Sequence, residues 1–147
     1  MIRGLDTNVL VYAHSTEAPH HRVALRLLRP SASAGDTWAV CWPVLYEFLR
    51  VVTHPRVFHP PTPLDTAWRA VTSLTRLRNV VVLSETERHQ EILDEVLRAS
   101  GATGNLVHDA HIVALLREHG VGEIVTADED FRRFPGLTVT NPFRSGA

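Results

Sequence analysis

The sequence predicts an α/β domain, a three-layer arrangement in which helices cover both faces of a mostly parallel sheet. Short apolar runs typical of buried strands alternate along the chain with longer segments whose apolar residues recur at helical spacing. The 147 residues are 44% hydrophobic and 21% charged, which suffices for one core without disulfides or a structural metal. We therefore expect residues 1–147 to form a single domain.

Local signals justify the individual elements. Pro43 stands where the first turn of a helix tolerates proline, and Ser84 to Glu87 match a capping box that would open a helix. Four prolines between residues 54 and 63 predict an extended surface loop. The predicted strands are 1–5, 37–41, 79–83, 123–126 and 137–140, and the predicted helices start near residue 9 and span 19–29, 43–53, 64–77, 84–100 and 105–119.

Composition excludes several functional classes. All 15 basic residues are arginine, so mechanisms that need a lysine, such as Walker-type phosphate loops, Schiff bases and kinases, are excluded. The formal net charge of −1 gives no overall attraction to nucleic acid, so any such contact must come from a local arginine patch. With a single cysteine and no apolar run long enough to span a bilayer, we expect a cytoplasmic protein without membrane contact.

Four carboxylates occupy positions where a charge is unexpected. Asp6 and Asp128 follow predicted strands, and the carboxyl ends of parallel strands are where ligands bind. Glu47 lies at or beside the buried stripe of its predicted helix, and Asp109 has apolar residues three, four and seven positions away. A fold that brings the four together would build one pocket with four negative charges, and such a pocket needs a cation.

Each carboxylate also has a purely structural explanation. Asp6 and Asp128 suit helix N-caps, Glu47 could pair with Arg50, and Asp109 could pair with a neighbouring arginine. Their coincidence in a chain without lysine favours a hard-cation site. Oxygen ligands select Mg²⁺ or Mn²⁺ over zinc, and such an ion can activate water, polarise a phosphoryl oxygen and screen the leaving oxygen of a phosphodiester.

Three segments resemble the PIN-domain nucleases and, among them, the VapC-type toxins of bacterial toxin–antitoxin pairs. They are the opening Leu5–Leu10 (LDTNVL), His108–Ala110 on a helix and Thr126–Phe131 (TADEDF), with Glu47 on a helix between them. The likeness covers almost the whole chain in the right order, and the opening and closing motifs together are fairly specific. It implies a PIN-like fold and a Mg²⁺- or Mn²⁺-dependent endoribonuclease.

The resemblance also implies residue roles. The acidic positions of the family are occupied here by Asp6, Glu47, Asp109 and Asp128. Asp6 and Asp109 would touch the metal, whereas Asn8 and Thr126 would orient the site through hydrogen bonds. Asp130 matches a further acidic position and would act as a helper.

Partners follow from the same resemblance. The protein would form a homodimer, and a cognate antitoxin would cover the acidic groove, with an arginine replacing the charge of the metal. The implied substrate is structured RNA, commonly tRNA or rRNA cut in a loop. Phe58 or Phe131 could stack on bases, although Phe131 and Phe134 also suit core anchors. The candidate RNA-binding arginines are Arg50, Arg56, Arg132 and Arg133.

Other interpretations remain open. An aspartyl-phosphate enzyme, either a receiver domain or a haloacid-dehalogenase-like phosphatase, also has aspartates at strand ends but relies on a lysine that is absent here. A PIN-like nuclease that processes RNA without a toxin role fits the same residues, as does a PIN-like module that binds RNA or protein without cutting. The nine histidines lack an HExxH arrangement, so we expect solvent-facing or hydrogen-bonded histidines rather than a histidine metal site.

Overall fold

A computed structural model describes residues 1–30 and 35–144. Within these ranges it contains five strands, six α-helices and one 3₁₀ helix. The strands β1 to β5 are Ile2–Leu5, Thr37–Cys41, Val80–Leu83, Glu123–Val125 and Thr138–Thr140. The helices α1 to α6 are Thr7–His14, His21–Leu28, Trp42–Val52, Leu64–Thr75, His89–Ser100 and Leu106–Glu118, and the 3₁₀ helix is Glu129–Arg133. The predicted α/β class is confirmed.

The strands of the described chain form one all-parallel sheet in the order β3-β2-β1-β4-β5. Strand β1 pairs with β2 on one side and with β4 on the other, so the strand order reverses between β1 and β4. Since parallel crossovers are right-handed, this reversal puts α5 and α6 on the opposite face of the sheet from the helices that link β1, β2 and β3. The carboxyl ends of β1 and β4 therefore lie side by side at the position where open parallel sheets bind ligands.

Helix α6 is the most buried helix of the described chain. Ala110 and every residue from 112 to 116 are buried, because α6 packs against α5, α3 and β2. Gly4 in β1 permits this close approach: a Cβ atom there would lie 2.8 Å from the Leu116 methyl carbons and 3.2 Å from the Glu123 carbonyl oxygen. A glycine in β1 thus brings α6, with Asp109 near its start, against the strand that ends at Asp6.

The predicted capping box at Ser84 to Glu87 is wrong. Helix α5 begins at His89, and the residue before it makes no side-chain capping hydrogen bond. Instead, Thr86 Oγ1 donates to a carboxylate oxygen of Glu118 on α6 at 2.7 Å and accepts from the backbone N–H of Arg88 at 3.2 Å. A carboxylate from a distant helix, and not a local box, therefore holds this turn.

Two other features bear on the predictions. Phe131 and Phe134 are 0% and 2% exposed, so they are core anchors and not stacking surfaces. In the part of the chain that the structure describes, no helix is both long and apolar enough to cross a bilayer.

Candidate active site

The structure brings the four predicted carboxylates to one cavity of about 230 Å³ beside the ends of β1 and β4. Asp6 directly follows β1, Asp128 follows β4 after two residues, Glu47 lies on α3 and Asp109 lies in the first turn of α6. Three of them, together with Asp130, also line a wider groove of about 1050 Å³ that opens from the cavity. Residues from four separate elements thus converge at the reversal of strand order.

Asp6 is held rigidly and is only 6% exposed. It is the N-cap of α1, where its Oδ1 accepts from the Thr7 backbone N–H at 2.8 Å. Its Oδ2 accepts from Thr126 Oγ1 at 2.7 Å and from Asn8 Nδ2 at 3.1 Å. Asp6 is therefore the helix N-cap that the sequence suggested, and it also lines the acidic cavity.

Thr126 and Asn8 link the residues that follow β1 and β4, and both donate to the same oxygen of Asp6. Asn8 Nδ2 donates to Thr126 Oγ1 at 3.0 Å, and Asn8 Oδ1 accepts from the Ala127 backbone N–H at 3.1 Å. The fully buried Thr126 hydroxyl also accepts from the Asp128 backbone N–H at 2.9 Å. These hydrogen bonds fix Asp6 and Asp128 relative to each other.

Asp6 and Asp109 carry charges that the fold does not neutralise. Burial, reinforced by the charges of Glu47 and Asp128, raises the pKa of Asp6 to about 6 in spite of its hydrogen bonds. Burial and the neighbouring carboxylates raise the pKa of the half-buried Asp109 to about 7. Asp109 makes no hydrogen bond or ion pair with any residue that the structure describes, so the neighbouring arginine that sequence reasoning allowed for is absent there.

Glu47 has partners of its own. His108 on α6 contacts its carboxylate, and Arg50 lies 4.0 Å from it as the sequence allowed. The hydrogen bond from His108 is the main reason that the pKa of Glu47 is lowered, and the same contact raises the pKa of His108. His108 was not predicted as a site residue, although its place directly before Asp109 was visible in the sequence.

Asp128 and Asp130 belong to the 3₁₀ turn that follows β4. Asp128 is the N-cap of this turn, and its Oδ1 accepts from the Asp130 backbone N–H at 2.9 Å. Asp130 itself is exposed and borders the wider groove without lining the inner cavity. Asp130 therefore lies at the rim of the wider groove and not among the four acids of the inner cavity.

Of the four arginines predicted to bind RNA, one lies in the wider groove and three lie outside it. Arg50 lines the wider groove, whereas Arg56, Arg132 and Arg133 are exposed outside it, and Arg132 is paired with Glu129. Sequence reasoning missed the aromatic side chains that share the groove with Arg50. Trp42 and Tyr46, one helical turn apart on α3, are 36% and 69% exposed, with ring centroids 6.0 Å apart; a sequence signal for them existed in their i, i+4 spacing.

The donor set of the inner cavity suits a hard divalent cation. All four acids are oxygen donors, and Thr7 Oγ1, which also lines the cavity, has no hydrogen-bond partner among the described residues. Among those residues, no three of the four acids bring ligand oxygens within 4.8 Å of one another. Mg²⁺ usually binds one or two carboxylates directly and keeps several waters, so it does not need three of these acids to converge on one point.

Comparisons with known proteins agree with this geometry. A PIN-domain family model matches residues 5–137. The chain is 37% identical over 138 residues to ribonuclease VapC37 of Mycobacterium tuberculosis, covering 94% of this chain and 95% of that protein. It is 34% identical over 143 residues to ribonuclease VapC48 of the same organism, covering 97% and 99%.

Among solved structures, the chain is similar to VapBC2 from Rickettsia felis bound to a DNA fragment from its promoter. The TM-score is 0.66 at 21% identity, and the match covers 96% of this chain and 98% of the other. This likeness supports the fold, while the relatives above carry the assignment and set aside the aspartyl-phosphate alternative. Together, the family model and these relatives show that the chain belongs to the PIN-domain family, in its VapC branch of ribonucleases.

Proposed function

We propose that this protein is a Mg²⁺- or Mn²⁺-dependent endoribonuclease whose active centre is the cavity shared by Asp6, Glu47, Asp109 and Asp128. One observation carries the proposal: four carboxylates from four elements meet where the strand order reverses, and two of them have raised pKa values. A buried charge without a partner is costly to folding, so its retention points to a function. Hydrolysis of a phosphodiester is the chemistry that such a centre serves.

Asp6 and Asp109 are the residues that would hold the ion. Their raised pKa values mean that they gain more from a nearby cation than Glu47, whose carboxylate already contacts His108. When bound, the ion lowers the pKa of an attacking water, polarises the phosphoryl oxygen and screens the leaving oxygen. Either Mg²⁺ or Mn²⁺ meets these needs with oxygen ligands.

The remaining site residues position the acids. Thr126 and Asn8 each donate a hydrogen bond to the Asp6 carboxylate, and Asn8 also donates to Thr126. Thr126 is 120 residues from Asp6 and 118 from Asn8 in the sequence, so these bonds hold the carboxylate in one orientation from two distant parts of the chain. His108 keeps Glu47 ionised beside the cavity. Asp128 Oδ1 accepts a hydrogen bond within the 3₁₀ turn, so Oδ2 would face the metal or its waters. Asp130 adds negative charge at the rim of the groove.

The substrate we propose is a single-stranded loop of structured RNA, such as a tRNA or rRNA loop. Arg50 can bind a phosphate at the groove, and the exposed rings of Trp42 and Tyr46 on the same helix provide faces on which unpaired bases stack. Arg56, Arg132 and Arg133 would reach only parts of a long RNA outside the groove.

We further propose that the protein is the toxin of a type II toxin–antitoxin pair, that it acts in the cytoplasm as a homodimer, and that a cognate antitoxin neutralises it. Its VapC relatives and the fold it shares with VapBC2 support this view. An antitoxin arginine placed between Asp6 and Asp109 would supply the positive charge that these two carboxylates lack.

The decisive experiment compares the wild type with Asp109→Asn on total bacterial RNA, in Mg²⁺, Mn²⁺ or EDTA, with sequencing of the new RNA ends. We expect discrete cuts that require the metal and that fall at least about 100-fold in the variant, the scale expected when a group that stabilises the reacting centre electrostatically is removed. The asparagine keeps the shape of the side chain and removes the charge.

Asp94→Asn is the matched control, because Asp94 is exposed on α5 and pairs with Arg98 outside the cavity. It should cleave RNA as the wild type does. Cuts that persist in Asp109→Asn at the wild-type rate, or that persist in EDTA, would contradict the proposed centre. RNA binding without any cut by the wild type would instead favour a non-cutting module.

A further inference from the structure

Near the acidic centre, the described chain contains a second cluster of metal-binding side chains that the proposed reaction does not use. Glu85 follows β3, His89 begins α5 and His111 lies on α6, and each offers a ligand atom within 4.8 Å of the other two. Three other histidines, His14, His21 and His119, are hydrogen-bonded to a backbone carbonyl or a hydroxyl, as expected from the sequence. His89 and His111 are hydrogen-bonded too, but to the carboxylates of Glu118 and Glu85, and their ligand atoms lie close enough together to share an ion.

We propose that Glu85, His89 and His111 form a zinc-type metal site at the rim of the groove. Two imidazoles and one carboxylate are a ligand set typical of three-ligand zinc centres that keep a fourth position open. This set differs in kind from the acidic centre, whose oxygen ligands suit Mg²⁺ or Mn²⁺. The chain would therefore carry two cation sites of different preference in one groove.

The orientation of His89 supports a ligand role. Its Nδ1 donates to Glu118 Oε2 at 2.7 Å, and the Glu118 side chain has no solvent exposure. The other Glu118 oxygen accepts from both the backbone N–H and the hydroxyl of Thr86, at 2.9 and 2.7 Å. A buried carboxylate that holds one imidazole nitrogen is the usual support of a metal-binding histidine, and it leaves Nε2 for the ion.

His111 and Glu85 supply the other two ligands. His111 Nε2 lies 2.7 Å from Glu85 Oε1, and the two histidine rings have centroids 5.4 Å apart. Ligands about 2.0–2.1 Å from a tetrahedral ion lie about 3.3 Å from one another, so small rotations of these side chains would admit the ion. The Glu85 and His111 side chains are 47% and 34% exposed, which leaves room for that adjustment.

A metal ion bound by this cluster would change the charge of the groove. Glu85 and His111 line the same groove as Asp109 and Asp128, so an ion held there would add positive charge to an acidic rim. An open fourth position on the groove side would take water or a phosphate oxygen of a bound strand. The nearest purely structural explanation is that the cluster consists only of charge-assisted hydrogen bonds that tie α5 and α6 to the end of β3.

Zinc titration of the full-length protein distinguishes the two explanations. We would measure Zn²⁺ binding by calorimetry, and the visible absorption of bound Co²⁺ as a stand-in, in buffer with excess Mg²⁺ to fill the acidic centre. We expect one strong Zn²⁺ equivalent in the wild type and in Asp109→Asn. His89→Gln and His111→Gln should each weaken it at least tenfold, and Glu118→Gln about 10- to 100-fold through loss of the support to His89.

Two further variants keep the test sound. His59→Gln, at an exposed histidine outside the cluster, should bind Zn²⁺ like the wild type. Glu85→Gln changes a half-exposed side chain, so it should fold normally, as checked by circular dichroism, and still lose at least tenfold in affinity. The proposal is overturned if the cluster variants bind Zn²⁺ as tightly as the wild type, or if only Asp109→Asn loses it.

Discussion

Helix α6 carries a carboxylate near each end, and the two have opposite surroundings. The helix dipole alone would favour an ionised Asp109 in the first turn and disfavour an ionised Glu118 at the last residue. The structure shows the opposite preference: the pKa of Asp109 is raised to about 7, whereas the pKa of Glu118 is lowered. Burial works against the ionised form of both, but hydrogen bonds from His89 and Thr86 outweigh it at Glu118.

The difference separates a carboxylate that serves the structure from one that we propose serves the reaction. Glu118 receives three hydrogen bonds from the β3–α5 turn and the start of α5, and its charge is used to hold them. Asp109 has no such partner among the described residues, so its charge is left for something that binds from outside. Burial of a charge is therefore a weaker sign of function than burial of a charge without a partner.

Glu118→Ala is expected to give the largest change in stability. The substitution removes three charge-assisted hydrogen bonds and leaves the Thr86 N–H and His89 without their acceptor, so the free energy of unfolding should fall by about 3 kcal/mol. Asp109→Ala should cost far less in metal-free protein, because no hydrogen bond is lost. Urea unfolding in EDTA measures both.

Glu91→Ala is the control for this pair of variants, since among the described residues Glu91 forms only an exposed ion pair with Arg88 at 3.7 Å. Its loss should be at most about 1 kcal/mol. If Asp109→Ala destabilised the metal-free protein as much as Glu118→Ala does, the contrast between the two ends of α6 would be wrong.

Thr126→Val should destabilise the protein less than Glu118→Ala does, but it should also lower the activity. Valine keeps the shape of the fully buried side chain, but it removes the hydrogen bond to Asp6 and leaves the Asp128 N–H unpaired. We expect the free energy of unfolding to fall by about 1–3 kcal/mol and RNA cleavage to fall at least tenfold, because the acids lose their fixed orientation.

Thr140→Val provides the comparison, because the Thr140 hydroxyl, on β5 away from the cavity, makes a single hydrogen bond within the described residues, to Glu123 at 2.8 Å. It should lose about 1 kcal/mol and keep full activity. Equal activity of Thr126→Val and Thr140→Val would show that the hydrogen bonds around Asp6 serve the fold alone.

The pH dependence of melting should show the uncompensated charges directly. In the folded state Asp6 and Asp109 release their protons near pH 6 and 7, whereas the ordinary pKa is 3.8. Between these values the folded state binds more protons than the unfolded chain, so the free energy of unfolding falls as the pH rises. His108, with its raised pKa, acts in the same direction. In EDTA, Tm should be a few degrees lower at about pH 8 than at about pH 5.

Two comparisons isolate the acidic centre in that measurement. Asp109→Asn should show a smaller fall in Tm between the two pH values, while Asp94→Asn should follow the wild type. Saturating Mn²⁺ should raise Tm most at the higher pH, because the ion binds the ionised carboxylates of the folded state. An identical pH dependence in Asp109→Asn and the wild type would contradict the raised pKa of Asp109.

Much of the site could be read from the sequence because its signals are local. Asp6 and Asp128 were visible as polar residues directly after apolar runs, and Asp109 as a carboxylate among helically spaced apolar residues. The histidine cluster left no such signal. Glu85, His89 and His111 come from the β3–α5 turn, α5 and α6, with His111 26 residues after Glu85, so no spacing motif links them. The failed capping box has the same origin, since Thr86 bonds to Glu118, 32 residues away.

The sequence by itself determined the alternation of strands and helices, because hydrophobic periodicity and turn residues act over a few positions. It also determined which carboxylates would be costly to bury. Only the tertiary structure decided which charges are neutralised. Strand order and right-handed crossovers place Thr126 against Asp6 across 120 residues and His89 against Glu118, yet leave Asp109 without a hydrogen-bond or ion-pair partner among the described residues. Electrostatic pairing depends on distances through space, and these are fixed only when the sheet is assembled.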